Sequence, residues 1–252
     1  MRNKFEKILL AMMCCMVFAF ICKSAVYGSS DIDIPLKTLY KNTSATTVID
    51  VTERSKKEIK TMFYVKKIDD ETFAAMQGKS YPEDCPVDRS DLRRVRILYY
   101  GFDKKTHIGE LIANKACAGD ICEIFRKLYF KKYQIRRVEP IDAYDGDDEL
   151  SMEADNTSCF NYRVIEGTST ISKHAYGMAV DINPRENPYV AYKKGKMVVS
   201  PSNGRKYADR TKSFKHKITK FDLCYRLFHK KGFTWGGDWN SVKDYQHFEM
   251  DL

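Results

Sequence analysis

The longest apolar run in the chain comes first. Ile8 to Cys22 is unbroken for 15 positions, with Arg2, Lys4 and Lys7 before it and small residues from Ala25 to Ser30 after it. A charged start, an apolar middle and a small-residue end make the pattern of a secretory leader. The run is shorter than the ~20 residues with which a helix spans a bilayer. Residues 1–28 are therefore read as a signal peptide cleaved near Gly28. If the segment is retained, Lys23 would reach the interface and the run would serve as an N-terminal anchor. The stretch "AFIC" has no small residue just before Cys22, so it is not a lipobox.

Past the leader, residues 30–60 are polar and rich in Thr and Ser, which predicts a linker. "TMFYVKKI" predicts a strand, "DDETFAAMQGKSY" a short helix ending at Gly78, and "LRRVRILYYGF" a strand turning at Gly101. In "GELIANKACAGDICEIFRKLYFKKY", Ile112, Ala116, Ile121, Ile124, Phe125 and Leu128 recur at helical spacing, predicting a helix broken at Gly119 and Asp120. "IRRVEPIDAY" predicts another strand and "DGDDELSMEADNTS" an acidic loop. From Phe160 onward the apolar runs are short: "FNYRVI", "MAVDIN", "KMVVS" and "YQHFEM". Between the last two, Ile218, Phe221, Leu223, Leu227 and Phe228 form a helical stripe closed by Gly232. Strands mixed with a few helices, without regular βαβ alternation, predict an α+β fold: a small, mostly antiparallel sheet with flanking helices. The expected organisation is a leader over 1–28, a linker and accessory region over 29–90, and a main domain over 91–252.

Charge and cysteine content narrow the function classes. The chain carries 43 Lys/Arg and 34 Asp/Glu; without residues 1–28 the balance is 39 against 33, or +6. A modest positive balance on an exported protein suits an anionic cell surface. No basic run interleaved with aromatics marks a nucleic-acid surface. Five cysteines follow the leader: Cys85, Cys117, Cys122, Cys159 and Cys224. Their odd number and irregular spacing define no disulfide framework, and the absence of a CxxC pair argues against a thiolate zinc site. Cys117 and Cys122 are close enough to bridge, or all five are thiols.

Candidate chemistry centres on "SKHAYGMAVDI" and "FTWGGDWNSVKDYQHFEM". The first sets His174 seven residues before Asp181, with Gly177 between them to let the backbone turn sharply. The second holds Asp244 and His247 three apart. Imidazole and carboxylate are both zinc ligands, and three protein ligands with a fourth position open make the catalytic arrangement. His174, Asp181 and His247 would supply the three, with Asp244 left to move a proton. An ordinary strand with a polar entry is the other reading. His107, His216 and His229 are read as structural, the last at a helix C-terminus where a histidine suits the dipole. Trp235 and Trp239 bracket "GGD" as core residues or as a groove wall.

The two stretches together resemble the zinc D-alanyl-D-alanine carboxypeptidases of the VanY type, a superfamily that includes L-alanyl-D-glutamate peptidases. The pattern S-x-H-x-x-G-x-A-x-D, then Trp and an acid three before a His, is met by Ser172, His174, Gly177, Ala179, Asp181, Trp239, Asp244 and His247. The resemblance implies zinc held by His174, Asp181 and His247 in a cleft on the sheet, with Asp244 as general acid/base. It also implies that Arg163, in "FNYRV", contacts substrate. Ser172, Tyr176, Trp235 and Trp239 are candidates for the substrate groove, and Glu249 for orienting an imidazole. Many relatives carry glutamate where Asp244 stands, a departure toward the endopeptidase-like members. The expected function is an exported, monomeric zinc carboxypeptidase acting on peptidoglycan stem peptides. The alternatives are an L-alanyl-D-glutamate endopeptidase and a catalytically silent zinc-containing wall-binding module.

Overall fold

Two nine-residue strands with almost continuous burial organise the N-terminal half of the computed structural model, which describes residue 40 and residues 43–165 and 169–251. The leader expected over 1–28 lies outside the described residues. Among the described residues, no helix is long and apolar enough to cross a membrane.

The elements run α1 (Lys56–Thr61), β1 (Tyr64–Lys67), α2 (Asp70–Met76), β2 (Leu92–Tyr100), β3 (Thr106–Asn114), α3 (Ala118–Phe130), β4 (Arg137–Val138), α4 (Asp148–Glu153) and β5 (Asn156–Thr157). They continue as β6 (Ala179–Asp181), β7 (Tyr189–Lys193), β8 (Lys196–Ser200), α5 (Leu223–Lys230), β9 (Thr234–Trp235), β10 (Lys243–Asp244) and β11 (His247–Glu249). Three three-stranded sheets, β1-β2-β3, β10-β7-β8 and β6-β11-β9, are antiparallel, and the β4–β5 pair is parallel. The α+β expectation is met, with its strands divided among several small sheets.

The α3 helix buries Ile121, Ile124, Phe125 and Leu128 on one face against β2, and α5 packs on α3. Phe228 of α5 stacks on Phe248 of β11 at 4.4 Å and meets Phe233 edge-on at 5.1 Å. This aromatic cluster anchors the strand that carries His247. Lys231 ties the two helices outside the core, 2.7 Å from both Asp120 and Glu123.

Several expectations are corrected. The helix predicted across 109–133 is a strand followed by a helix. Both faces of β3 are covered, so its residues lack the alternation that tells a strand from a buried helix. Gly119 and Asp120 do not break α3 but form its first turn, where an acid suits the dipole. The acidic "loop" contains α4: the Asp147 side chain accepts from the Leu150 N–H at 2.9 Å, and Asp148 and Glu149 fill the first turn. In "IRRVEPIDAY" only Arg137–Val138 is strand, because Pro140 lacks an N–H and leads into a 3-10 turn. "FNYRVI" is irregular apart from a bridge between Val164 and Ile171. The segment read as a linker pairs with β3: the Thr46 N–H donates to the Ile108 carbonyl, and the Ile108 N–H to that of Thr47. β1, before residue 90, pairs with β2, after it. All five cysteines are free thiols, four of them buried.

Beside β5 lies a buried acidic pair. Asp155 and Glu186 are 0% and 3% exposed, each with one oxygen that has no hydrogen-bond partner, and Arg185 touches both. Burial first, then Glu186, pushes Asp155 up to about 8. Its folded pKa lies above the unfolded value, so folding favours the protonated acid. The contribution of this one group to stability is fullest below about pH 4 and is lost as pH rises toward 8. Asp155→Asn removes that titration while keeping the oxygen that accepts from the Arg185 N–H. The variant should lose less melting temperature than wild type between pH 5 and 8; parallel curves would contradict the assignment.

Candidate metal centre

His174 sits in a 3-10 turn, Lys173–Tyr176, built from both ends. The Ser172 hydroxyl accepts from the His174 N–H at 3.2 Å, and Gly177 closes the turn at φ 66. A Cβ on Gly177 would lie 2.7 Å from the Asn114 backbone nitrogen, so glycine is needed both for the turn and for the close approach to β3. The chain then enters β6 and ends it on Asp181.

β11 lies antiparallel to β6 with His247 directly opposite Asp181. Directly opposed residues project to the same face, so the register alone brings these two side chains together. His247 Nδ1 stands 3.0 Å from one Asp181 oxygen, and His174 Nε2 stands 3.2 Å from the other and 3.2 Å from His247 Nδ1. The exposures are 3%, 3% and 6% for His174, Asp181 and His247.

The outer ring nitrogens settle which way the inner ones face. His174 Nδ1 lies 2.5 Å from the Cys159 carbonyl, which can only accept, so that nitrogen carries a proton. His247 Nε2 lies 3.0 Å from Glu249, two residues along the same strand face, and donates to it. Both imidazoles thus turn a lone pair toward the Asp181 carboxylate. Three acceptors facing one another within 4.8 Å require a cation or a proton between them. The separations from His247 Nδ1, 3.0 Å to Asp181 Oδ1 and 3.2 Å to His174 Nε2, approach the edge of a tetrahedron with bonds of ~2.0–2.1 Å, roughly 3.3 Å, so the donor set suits zinc. The carbonyl and carboxylate behind the rings fix their tautomers, as metal-ligating histidines require.

The charge states agree. Burial disfavours charge on His247, yet hydrogen bonds to Asp181 and Glu249 push it up to about 10. Burial would raise Asp181, but the two imidazoles hold it well below the usual carboxylate range.

Asp244 approaches from the neighbouring sheet on β10, which pairs with β7. It is half-buried, and its Oδ1 is enclosed without a partner. Burial, reinforced by Asp181 against the opposing pull of the imidazoles, pushes its carboxyl up to about 7. Gly236 makes room for it: a Cβ there would fall 2.7 Å from the Asp244 carbonyl oxygen.

The other candidates separate. The Trp239 ring lies 5.3 Å from that of His247 and is half-buried, which suits a groove wall. Trp235 is a core residue, 6% exposed, with its indole N–H on the Tyr245 carbonyl at 2.9 Å. The Ser172 hydroxyl is occupied as a cap. Tyr176 packs partly against the core of Leu92, Ile112 and Phe160. Arg163 pairs with Asp148 at 2.7 Å, and its carbonyl accepts from the Ser172 N–H, tethering it to the His174 turn. Its Nε is buried without an acceptor. His107, His216 and His229 take other roles: a hydrogen bond to Asp103, a stack on Phe102 and a stack on Tyr225. The Cys159 carbonyl and Gly236 escaped sequence reading; the doubled glycine before "DW" was the one available sign.

Residues 166–250 match a family model described as D-alanyl-D-alanine carboxypeptidase, in accord with the resemblance read from the two motifs. The matched stretch contains His174, Asp181, Asp244 and His247, and begins after Cys159 and Arg163. No curated protein and no solved structure matches the chain.

Gly177→Ala should destabilise the fold by roughly 1–3 kcal/mol, because the residue must stay left-handed while its Cβ meets β3. A thermal melt identical to wild type would show that the turn relaxes without cost.

Proposed function

We propose that the chain is a zinc-dependent carboxypeptidase that removes the terminal D-alanine from peptidoglycan stem peptides ending in D-alanyl-D-alanine. The observation that carries this reading is the ring of three facing acceptors beside a carboxylate with one enclosed, unpartnered oxygen, all within the stretch that matches the family model. The leader over residues 1–28 would deliver the enzyme to the envelope, where this substrate lies.

In this reading His174, Asp181 and His247 hold the metal, and Glu249 and the Cys159 carbonyl keep the imidazoles oriented. Bound zinc supplies Lewis acidity, polarising a carbonyl and making water acidic enough to attack near neutral pH. Asp244 is the proton carrier. It takes one proton as water oxygen bonds to the carbonyl carbon, then passes it to the nitrogen as the C–N bond breaks. The products are the shortened peptide acid and free D-alanine. Arg163, tethered through its carbonyl to the turn that carries His174, would offer its guanidinium to a substrate carbonyl or carboxylate. Trp239 walls the groove beside His247.

An aspartate at 244, where many relatives carry glutamate, favours a second reading as an L-alanyl-D-glutamate endopeptidase. Mass spectrometry of stem-peptide products separates the two: alanine released from the C-terminus, or cleavage after the first L-alanine.

Asp244→Asn preserves shape but cannot accept a proton. It should keep zinc and thermal stability while turnover on a synthetic stem pentapeptide falls by ~10²–10⁴. Near-normal turnover would move the role to another group. Arg163→Lys retains the charge but lacks the guanidinium donors, and should slow turnover at unchanged zinc content. Zinc-loaded wild type that cuts neither bond would favour the silent wall-binding module.

A further inference from the structure

Residues 193–220 hold ten Lys/Arg and one Asp, leaving 33 basic and 33 acidic residues in the other 224. The whole +9 of the chain therefore lies in one stretch. Only Lys212 and Lys220 within it have carboxylate partners among the described residues, Asp209 at 3.5 Å and Asp238 at 2.9 Å.

The stretch begins at the tip of the β7–β8 hairpin. The register sets Lys193 opposite Lys196, so the turn is Lys194–Gly195, with φ of 50 and 74. Positive φ at both central residues defines the I′-type turn, whose first position favours Asn, Asp or Gly. A lysine there works against the backbone. Lys193 against Lys196 works against the pairing, since like charges directly opposite one another are destabilising. All three lysines are exposed, and Tyr192 beside them is 72% exposed. Arg205 reaches back onto the hairpin, its guanidinium donating to the Met197 carbonyl at 3.2 Å. A tip that keeps three lysines against two local preferences calls for an anion to offset them.

The hairpin is rooted at the candidate active site, because Tyr189 at the start of β7 is the register partner of Asp244. Four residues of strand carry the chain on to Lys193, about 13 Å at 3.3 Å per residue. Whatever the tip holds is therefore kept near the catalytic carboxylate.

We propose that the hairpin tip, Tyr192, Lys193, Lys194 and Lys196, docks the protein on a flexible polyanion of repeating phosphodiester groups. Lysine ammoniums are mobile point charges, suited to phosphates spaced along a pliable chain rather than to one fixed bidentate group. A membrane fits less well, since the tip has no aliphatic side chain to insert. A single aromatic makes no stacking platform for nucleic-acid bases. The inference relies on the peptidase reading only in that a wall enzyme would meet such a polymer beside its substrate; the binding itself does not depend on that reading.

The test measures binding of the full chain to a synthetic glycerol-phosphate oligomer, beside poly-glutamate and vesicles of phosphatidylglycerol and phosphatidylcholine. Wild type should bind the oligomer in preference to both, and weaken about tenfold or more between 50 and 200 mM NaCl as counterions are released. The variant Lys193→Gln/Lys194→Asn/Lys196→Gln should bind at least tenfold more weakly. It should also melt at a temperature no lower than wild type, because Asn suits the turn, with turnover on a soluble pentapeptide unchanged. No binding by wild type, equal binding by the variant, equal binding to poly-glutamate, or binding to vesicles alone would each overturn the proposal. Oligomer binding by a chain that cuts no stem peptide would leave the docking site standing and remove the peptidase reading.

Discussion

The antiparallel register between β6 and β11 is the constraint on which the candidate site depends. With His247 opposite Asp181, two of the three facing acceptors are placed by backbone pairing alone. A slip of one residue would turn Phe248, now stacked on Phe228, into the polar cluster and His247 into the core. The aromatic cluster under β11 therefore enforces the chemistry above it. The third acceptor needs a separate device, the turn capped by Ser172 and closed by Gly177, which lifts His174 over the end of β6.

Burying three acceptors is costly, and the surroundings show how the cost is managed. The outward ring nitrogens have fixed partners, Cys159 and Glu249, so neither imidazole can rotate its lone pair away. What remains is a site whose electrostatics favour positive charge, as the upward shift of His247 beside Asp181 and Glu249 shows. Asp244 joins from another sheet with one enclosed oxygen that has no hydrogen-bond partner, unlike the mutually facing atoms of His174, Asp181 and His247. The basic hairpin hangs from the same strand pair, so a docking surface at its tip and the carboxylate at its root would share one rigid element.

Much of this was legible in the chain. His174, Asp181 and His247 stand out because ligand types at motif spacing flank a glycine and a short apolar strand, and the structure brings their atoms together. Alternation revealed β2, and the later half of the expected stripe, Leu223 to Phe228, revealed α5, whereas Ile218 and the exposed Phe221 lie before that helix. Reading failed where burial on both faces erased the period, as in β3, and where acids that start a helix were taken for a loop, as in α4. Trp235 and Trp239 looked alike in sequence; only tertiary packing sends one to the core and leaves the other beside His247. Backbone groups such as the Cys159 carbonyl leave no mark in a sequence at all.

The central claim is that the facing acceptors of His174, Asp181 and His247 form a site for one divalent cation. Calorimetric titration of the metal-free chain with zinc tests it directly. The account predicts one zinc bound per chain with proton release, and loss of that binding in both His174→Ala and His247→Ala, since three ligands are the minimum of such a site. No zinc uptake by wild type, or full uptake by both variants, would contradict it.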